Sequence, residues 1–368
     1  MFTHEKFLFV LTALQPINQS DSEPSGYKNN PDKKAVKMRT FSFLPTAGGH
    51  TEQVPFLSAE SLVHHLREAL WRSLLHRYDL RLDDFRSPVG ATLTYLMMNG
   101  GDANIGQKLK PYADAEKIAA MPQKFPLLGA FGYTLGGIFT PSLVRVSFIL
   151  PFSDALPIWQ DYRNAAHPDA ITTPRPLELH KCLVRADGSD YDYSISYYRH
   201  PAANMGQFYR RLSNKEKKTR QAAAIAAGNP SAPLEDLLLT EFQPMPHTCE
   251  YIPVNTPLAF TLQFDQEASA LVRSTVRYAF DQWLGTHRQV SLGGHVNRGF
   301  GLVRFENYPP TDTDQSFPTA AIFEDWLTQH DAALEQLLHQ FKDFSQEHQD
   351  VTTDAQPFFD LIDKLFAL

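Results

Sequence analysis

The sequence predicts an α+β chain with a ferredoxin-like core, two large insertions and a helical carboxyl-terminal segment. Three observations predict it. Two amphipathic helices, at about 58–78 and 266–284, lie among short β-branched and aromatic runs. The runs nearest to them complete the order βαββαβ. The intervening stretches, 79–142 and 153–256, are too long and too rich in Pro and Gly to be ordinary connections within a compact domain.

In chain order, the first strand is Lys6–Leu14 and a further β-like run is Val36–Leu44. Ser58 caps the first helix, Glu60 favours its dipole, and Leu62, Leu66, Leu70 and Leu74 form an i, i+4 stripe ending near Tyr78. The next core strand is Leu143–Phe152, and Asp192–Arg199 reads as a strand within the second insertion. Pro257–Phe264 then leads into the helix from Gln266 to Leu284, which buries Ala268, Leu271, Val272, Ala279, Phe280 and Trp283. It stops at Gly285, where a left-handed residue costs little. Phe300–Glu306 closes the core. From Ala320 to Phe344 and Pro357 to Leu368 the chain is helical, with Ile322, Phe323, Trp326, Leu334, Leu337, Leu338 and Phe341 on the apolar face and Glu324, Asp325, Asp331 and Glu335 opposite.

With 43% hydrophobic and 20% charged side chains, the 368 residues exclude a disordered or collagen-like chain. Two cysteines, Cys182 and Cys249, exclude a disulfide framework. No secretory signal or membrane span is read, so a cytoplasmic protein is expected. The net charge of −7 divides unevenly. Residues 306–368 hold thirteen acids and two bases, a net of −11, and residues 1–305 carry +4. Within 199–220, seven bases including Arg199, Arg210 and Arg211 face the single acid Glu216. Such a run is either a solvated face or a phosphate-contacting patch.

The octamer Arg298-Gly-Phe-Gly-Leu-Val-Arg-Phe305 matches the RNA-recognition pattern K/R-G-F/Y-G/A-F-V-x-F/Y except at Leu302. Its bland reading is a Gly-rich turn feeding a core strand. Gly293, Gly294, Gly299 and Gly301 make the preceding loop able to bring backbone N–H groups close to phosphate. Aromatics and bases interleave over 191–211, as a core face or as a stacking platform. His180-Lys-Cys182 and His247-Thr-Cys249 are two copies of H-x-C, enough together for four zinc ligands. Structural zinc sites use wider local spacing such as C-x2–4-C, so coincidence is favoured and no metal or other cofactor is expected. P-loop, GxSxG and HExxH signatures do not occur.

Three separated motifs carry a family resemblance. They are Leu11-Thr-Ala-Leu-Gln-Pro-Ile-Asn-Gln19 at the first strand's end, Val54-Pro-Phe-Leu-Ser-Ala-Glu-Ser-Leu62 with Arg67 at the helix start, and Gly293-Gly-His-Val-Asn-Arg-Gly-Phe-Gly301. Together they resemble the repeat-associated (RAMP) superfamily, and within it the backbone subunit of a multi-subunit CRISPR effector complex, most of all the type IV version. The family helix opens Gly-Asn-Ser-Leu-Arg-Gly. This chain has Ala59, Glu60, Ser61, Leu62, Val63 and His64, so only Ser61, Leu62 and the downstream Arg67 carry over.

The resemblance implies a ferredoxin-like, RNA-recognition-motif-like palm (1–78, 143–152 and 257–305) with a first insertion of helical finger (79–142). A second insertion (153–256) would supply fingers and a thumb at about 237–256, and an acidic helical segment (306–368) follows. It implies a subunit that binds CRISPR RNA, repeats along it as a helical filament of its own copies, meets other effector subunits, and offers the guide to target DNA or RNA. The implied RNA contacts are Asn18, Gln19, Ser20, Ser61, His64, His65, Arg67, Arg72, Arg199, Arg210, Arg211, Gly293, Gly294, His295, Arg298, Gly299 and Gly301, with Met245, Pro246 and His247 as a thumb wedge. Asp21 and Asp32 lie where type III relatives cleave target RNA, but neither sits in a matching motif, so no catalytic residue is expected. Two other readings stand beside this one. One is an endoribonuclease of the same superfamily that processes precursor guide RNA with His64, His65 or His295 as general acid or base. The other is a stand-alone RNA-recognition-like module.

Overall fold

The computed structural model describes residues 6–19, 39–43, 52–85, 88–101, 114–152, 180–186, 209–211, 214–226, 239–241, 245–293, 300–310, 317–347 and 356–367. For the strands at 180–186, 209–211, 239–241 and 245–250 it describes the backbone alone. The strand expected at Asp192–Arg199 lies outside the described residues.

The palm is a ferredoxin-like βαββαβ unit. Strand β1 (Lys6–Ala13) and helix α1 (Ala59–Arg77) are followed by a broken strand, β6 (Val144–Val146) and β7 (Leu150–Pro151). Then come β12 (Pro257–Phe264), the second palm helix (Ala270–Leu284) and a hairpin of β13 (Gln289–Ser291) and β14 (Leu302–Phe305). All the pairings are antiparallel, in the order β13-β14-β1-β12-β6, with β7 also on β12. Phe9 pairs with Phe260 and Leu11 with Phe305 across the two central ladders. Between β6 and β7 the Ser147 hydroxyl accepts the Thr261 N–H at 2.9 Å, which satisfies the donor left over where the strand breaks.

The two-residue period of β1 sets the layers. Phe7, Phe9, Leu11 and Ala13 face the two helices, and Phe9 stacks on Phe260 at 4.7 Å and on Phe280 at 5.0 Å. Such ring pairs contribute about 0.5–1.5 kcal/mol each beyond their burial. On the other face Val10, Ala259, Leu150 and Phe152 gather under Val54, which belongs to a hairpin of β2 (Thr40–Phe43) and β3 (Glu52–Pro55). Of the expected run Val36–Leu44, residues 40–43 form a strand outside the main sheet, and 36–38 and Leu44 lie outside the described residues.

The first insertion contains α2 (Pro88–Asn99), α3 (Ala115–Lys124), α4 (Pro126–Phe131) and the hairpin of β4 (Tyr133–Leu135) and β5 (Ile138–Thr140). In the second, β8 (His180–Ala186) pairs with β11 (Met245–Tyr251), and β9 (Tyr209–Arg211) with β10 (Leu239–Glu241); α5 (Asn214–Ala226) follows β9. The thumb stretch 237–256 therefore gives one strand to each of two ribbons. With α5 counted, the second palm helix is α6.

Two helix limits differ from expectation. α6 starts four residues later than Gln266, because the Ser269 hydroxyl accepts the Val272 N–H at 3.2 Å and fixes the cap there. The carboxyl segment is not continuous either: α7 (Ala321–Gln329) ends at His330, and α8 (Asp331–Glu347) and α9 (Gln356–Phe366) follow. Ile322, expected on the apolar face, is 47% exposed. Phe323, Trp326, Leu334, Leu338, Phe341, Phe358 and Ile362 join the same hydrophobic cluster as the palm. Glu324, Asp325 and Glu335 are exposed, as expected. Among the described residues no helix is long and apolar enough to cross a membrane.

Candidate nucleic-acid interface

The three motifs that carry the resemblance are far apart in sequence and meet at one end of the sheet. The β1 exit passes through Pro16, whose carbonyl accepts the Gly301 N–H at 2.8 Å, while Leu14 and Gln15 both donate to the Leu302 carbonyl. The Leu292 N–H donates to the Gly301 carbonyl at 2.9 Å, closing the base of the glycine loop. Gly293 (φ 84°) and Gly301 (φ 92°) are both left-handed. A Cβ on Gly293 would lie 2.5 Å from the Asn18 carbonyl oxygen, and one on Gly301 2.4 Å from that of Leu292. Only glycine fits both the dihedral and the space.

Gln19 ties the same exit to α1. Its Oε1 accepts the Ser58 N–H at 2.7 Å and its Nε2 donates to Ser58 Oγ at 3.1 Å. Ser58 Oγ in turn accepts the Ser61 N–H at 3.2 Å, so Ser61 contributes its backbone to the cap. Asn18 is fully buried. Ser20, Gly294, His295, Arg298 and Gly299 lie outside the described residues, as does Arg199.

Along α1 the expected contacts separate. Arg67 is a correction: it is 5% exposed, and its guanidinium donates to the Phe131 carbonyl at 2.7 Å and to the Gly132 carbonyl. It also lies over the Phe131 ring, and burial lowers its pKa to about 10. A guanidinium enclosed this way fastens α1 to the end of α4 and is not presented to a phosphate. The signal was in the spacing, since Val63, Leu70 and Trp71 stand at i−4, i+3 and i+4 from it.

Arg72 is exposed and pairs with Glu68 at 2.8 Å, and His64 Nδ1 lies 3.2 Å from the Met98 carbonyl. His65 stacks on Trp283 with centroids 5.6 Å apart, and burial, followed by the His64 charge, lowers its pKa. His65, Arg72, His76, Arg77 and Trp283 line a groove between α1 and α6. Sequence reasoning missed Trp283, His76 and Arg77 as its walls. Trp283 was assigned to the core, and the helical period places His76 and Arg77 one turn beyond Arg72.

Of the octamer's two readings, the described residues 300–305 follow the Gly-rich turn feeding a core strand. Phe305 is 2% exposed and packs edge-on against Phe9 at 6.2 Å and Trp283 at 5.7 Å. Phe300 is buried and meets Tyr251 at 6.4 Å, and Arg304 is engaged by Glu306 at 2.9 Å. Its described part builds core, because β14 turns Val303 and Phe305 toward the helices. Arg210 and Arg211 lie on β9 opposite Thr240 and Leu239. Met245, Pro246 and His247 lie on β11 opposite Ala186, Arg185 and Val184, at the ribbon end remote from the Ile17–Ile252 bridge to the palm.

No family model and no curated protein matches the chain. Among solved structures it is similar to a chain of a Type IV-B CRISPR Complex, with a TM-score of 0.41 and 16% identity over 88% of this chain and 98% of that one.

Proposed function

We propose that the chain is a guide-RNA-binding backbone subunit of an RNA-guided effector complex. The observation that carries this reading is the convergence of the three motifs, in which Gly293 lies on Asn18 and Gln19 holds the α1 cap at Ser58. At that point Gly293 and Gly301 allow close backbone approach, and farther along α1, roughly 20–30 Å from its cap, lie exposed Arg72 and the helical groove with His76 and Arg77. Such a set suits the sugar-phosphate backbone, with target choice left to base pairing. The subunit repeats along the guide as copies of itself and carries no nuclease activity of its own.

Filter binding of the purified chain to CRISPR RNA tests the reading. Affinity is expected to fall steeply with salt, and gel filtration with RNAs of increasing length is expected to give complexes that grow with the RNA. Absent or salt-independent binding overturns it. Shortening of precursor RNA by the chain alone would favour a processing enzyme instead.

A further inference from the structure

Phe148 stands in the break between β6 and β7, and its ring is 48% exposed. Next to it, Leu57 and Ile149 exchange both backbone hydrogen bonds, each at 3.0 Å, in an antiparallel bridge. Residues flanking such a bridge oppose one another in reverse order, so Ser58 lies opposite Phe148 and Phe56 opposite Leu150, all on one face. The contacts agree with this register. The Phe56 and Phe148 rings meet at 4.7 Å with a 42° tilt, and Phe56 packs on the cluster that contains Leu150. Phe148 is therefore the cross-strand neighbour of the residue that caps α1, about 5 Å away between Cα atoms. Ser58 is also the residue that Gln19 holds, and a second chain of hydrogen bonds joins the two sites. The Arg39 N–H donates to the Gln19 carbonyl at 2.9 Å, and the Arg39 carbonyl accepts the Phe56 N–H at 3.1 Å.

From this placement we propose that Phe148, supported by Phe56, is a stacking platform for one base of the guide RNA. The proposal rests on the RNA-binding reading above and adds to it a contact made by a base. An RNA strand whose sugar-phosphate backbone passes Gly293 and the α1 cap brings its bases alongside Phe148, because the cap residue and Phe148 are neighbours. Phe56 is half-buried and holds one edge of the ring, so the exposed part is what a ligand meets. The surroundings favour a base over a protein surface. Ser147 is polar and Arg145 is exposed, which leaves the ring as a small apolar island, well below the several hundred Å² of a protein-docking patch. Every base has a π-face, so the contact does not depend on sequence. Stacking also engages the face of the base and leaves its pairing edge open to the target.

Filter binding of the full-length chain to CRISPR RNA, wild type against Phe148 variants, is the test. Phe148→Ala is expected to lose about tenfold or more in affinity at an unchanged melting temperature. Its slope of log affinity against log salt should stay that of the wild type, since no phosphate contact is removed. Phe148→Trp should restore binding, whereas Phe148→Leu, which keeps apolar bulk without a π-face, should not. The tryptophan emission of the Phe148→Trp variant should be quenched by RNA beyond the change seen in the wild type, and inorganic polyphosphate, a polyanion without bases, should give no such excess. A wild-type chain that binds no RNA removes the RNA reading and the platform together. Wild-type binding that Phe148→Ala leaves undiminished, or that Phe148→Leu restores as fully as Phe148→Trp, overturns the platform alone. A Phe148→Ala chain that binds RNA normally but no longer self-associates marks a protein contact and overturns it as well.

Discussion

Gly293 sits on the main-chain carbonyl of Asn18, so close that a Cβ on the glycine would lie 2.5 Å from the oxygen. Gly285 is also left-handed, at φ 54°, but nothing lies within 4 Å of where its Cβ would be. The pair separates backbone strain from contact. Gly285→Ala should cost about 1–3 kcal/mol from its positive-φ, extended-ψ conformation alone. Gly293→Ala adds a clash with backbone that cannot rotate away, roughly 1–3 kcal/mol more. Denaturant unfolding of both variants measures the difference. Filter binding below their melting temperatures should show RNA affinity reduced for Gly293→Ala alone.

Arg67 and Arg72 lie on one helix and should behave in opposite ways. Arg67→Ala leaves the Phe131 and Gly132 carbonyls without their donor and opens a cavity beside Phe131, at a cost of about 3 kcal/mol or more. Its RNA salt dependence, measured on the folded fraction, should be unchanged. Arg72→Ala removes an exposed ion pair with Glu68, worth at most about 0.5 kcal/mol. Its log affinity against log salt slope should drop by about one. Thermal melts and salt titrations of the two variants check both halves.

The folding pattern was readable where the signal was local. Ser58, Gly285 and the alternation Phe7, Phe9, Leu11 mark their elements without help from distant chain, and β12 runs from Pro257 to Phe264 as expected. The start of α6 was misread because Gln266 and Glu267 are good helix formers, and Ser269 decides the matter only by capping. The β8–β11 pairing joins residues 180–186 to 245–251, far apart in sequence, and the alternation within each strand does not fix which strand it pairs with. At the site, the meeting of the three motifs followed from their order in a βαββαβ unit. That Arg67 lies on the buried face of α1 was in the helical spacing, but its partners, the Phe131 and Gly132 carbonyls, were not, because α4 belongs to an insertion that was read without helices of defined position.

His65 makes stability depend on pH. Burial and then the His64 charge push its pKa below 6.5, against a smaller opposing effect of Glu68. A depressed folded pKa means that the unfolded chain binds more protons, so this contribution is complete above the ordinary pKa of about 6.5. It is lost as pH falls through the folded value. His65→Phe keeps the ring against Trp283 and removes the titration. Between about pH 7.5 and pH 5, the melting temperature of the wild type should therefore fall more than that of the variant. Equal slopes would show that His65 does not titrate in this range.

The acidic carboxyl segment is part of the core, which changes what its charge can do. The Phe323 N–H donates to Ser274 Oγ at 2.9 Å in the interior, and its ring meets Tyr278 at 5.0 Å and Trp326 at 5.7 Å. Removing residues 311–368 takes away Phe317, Phe323, Trp326, Leu334, Leu338 and Phe341 together, so the truncated chain should not fold. Charge must instead be tested by substitution on the exposed side. Glu324→Gln, Asp325→Asn and Glu335→Gln combined should leave stability within about 0.5 kcal/mol, since surface changes away from packed features are small. At low salt, with a screening length of about 30 Å, the triple variant should bind RNA more tightly than the wild type. At about 0.15 M salt the length shrinks to about 8 Å and the two should converge. Filter binding at both ionic strengths decides it: a difference that persists at high salt would mean that these acids lie beside the RNA.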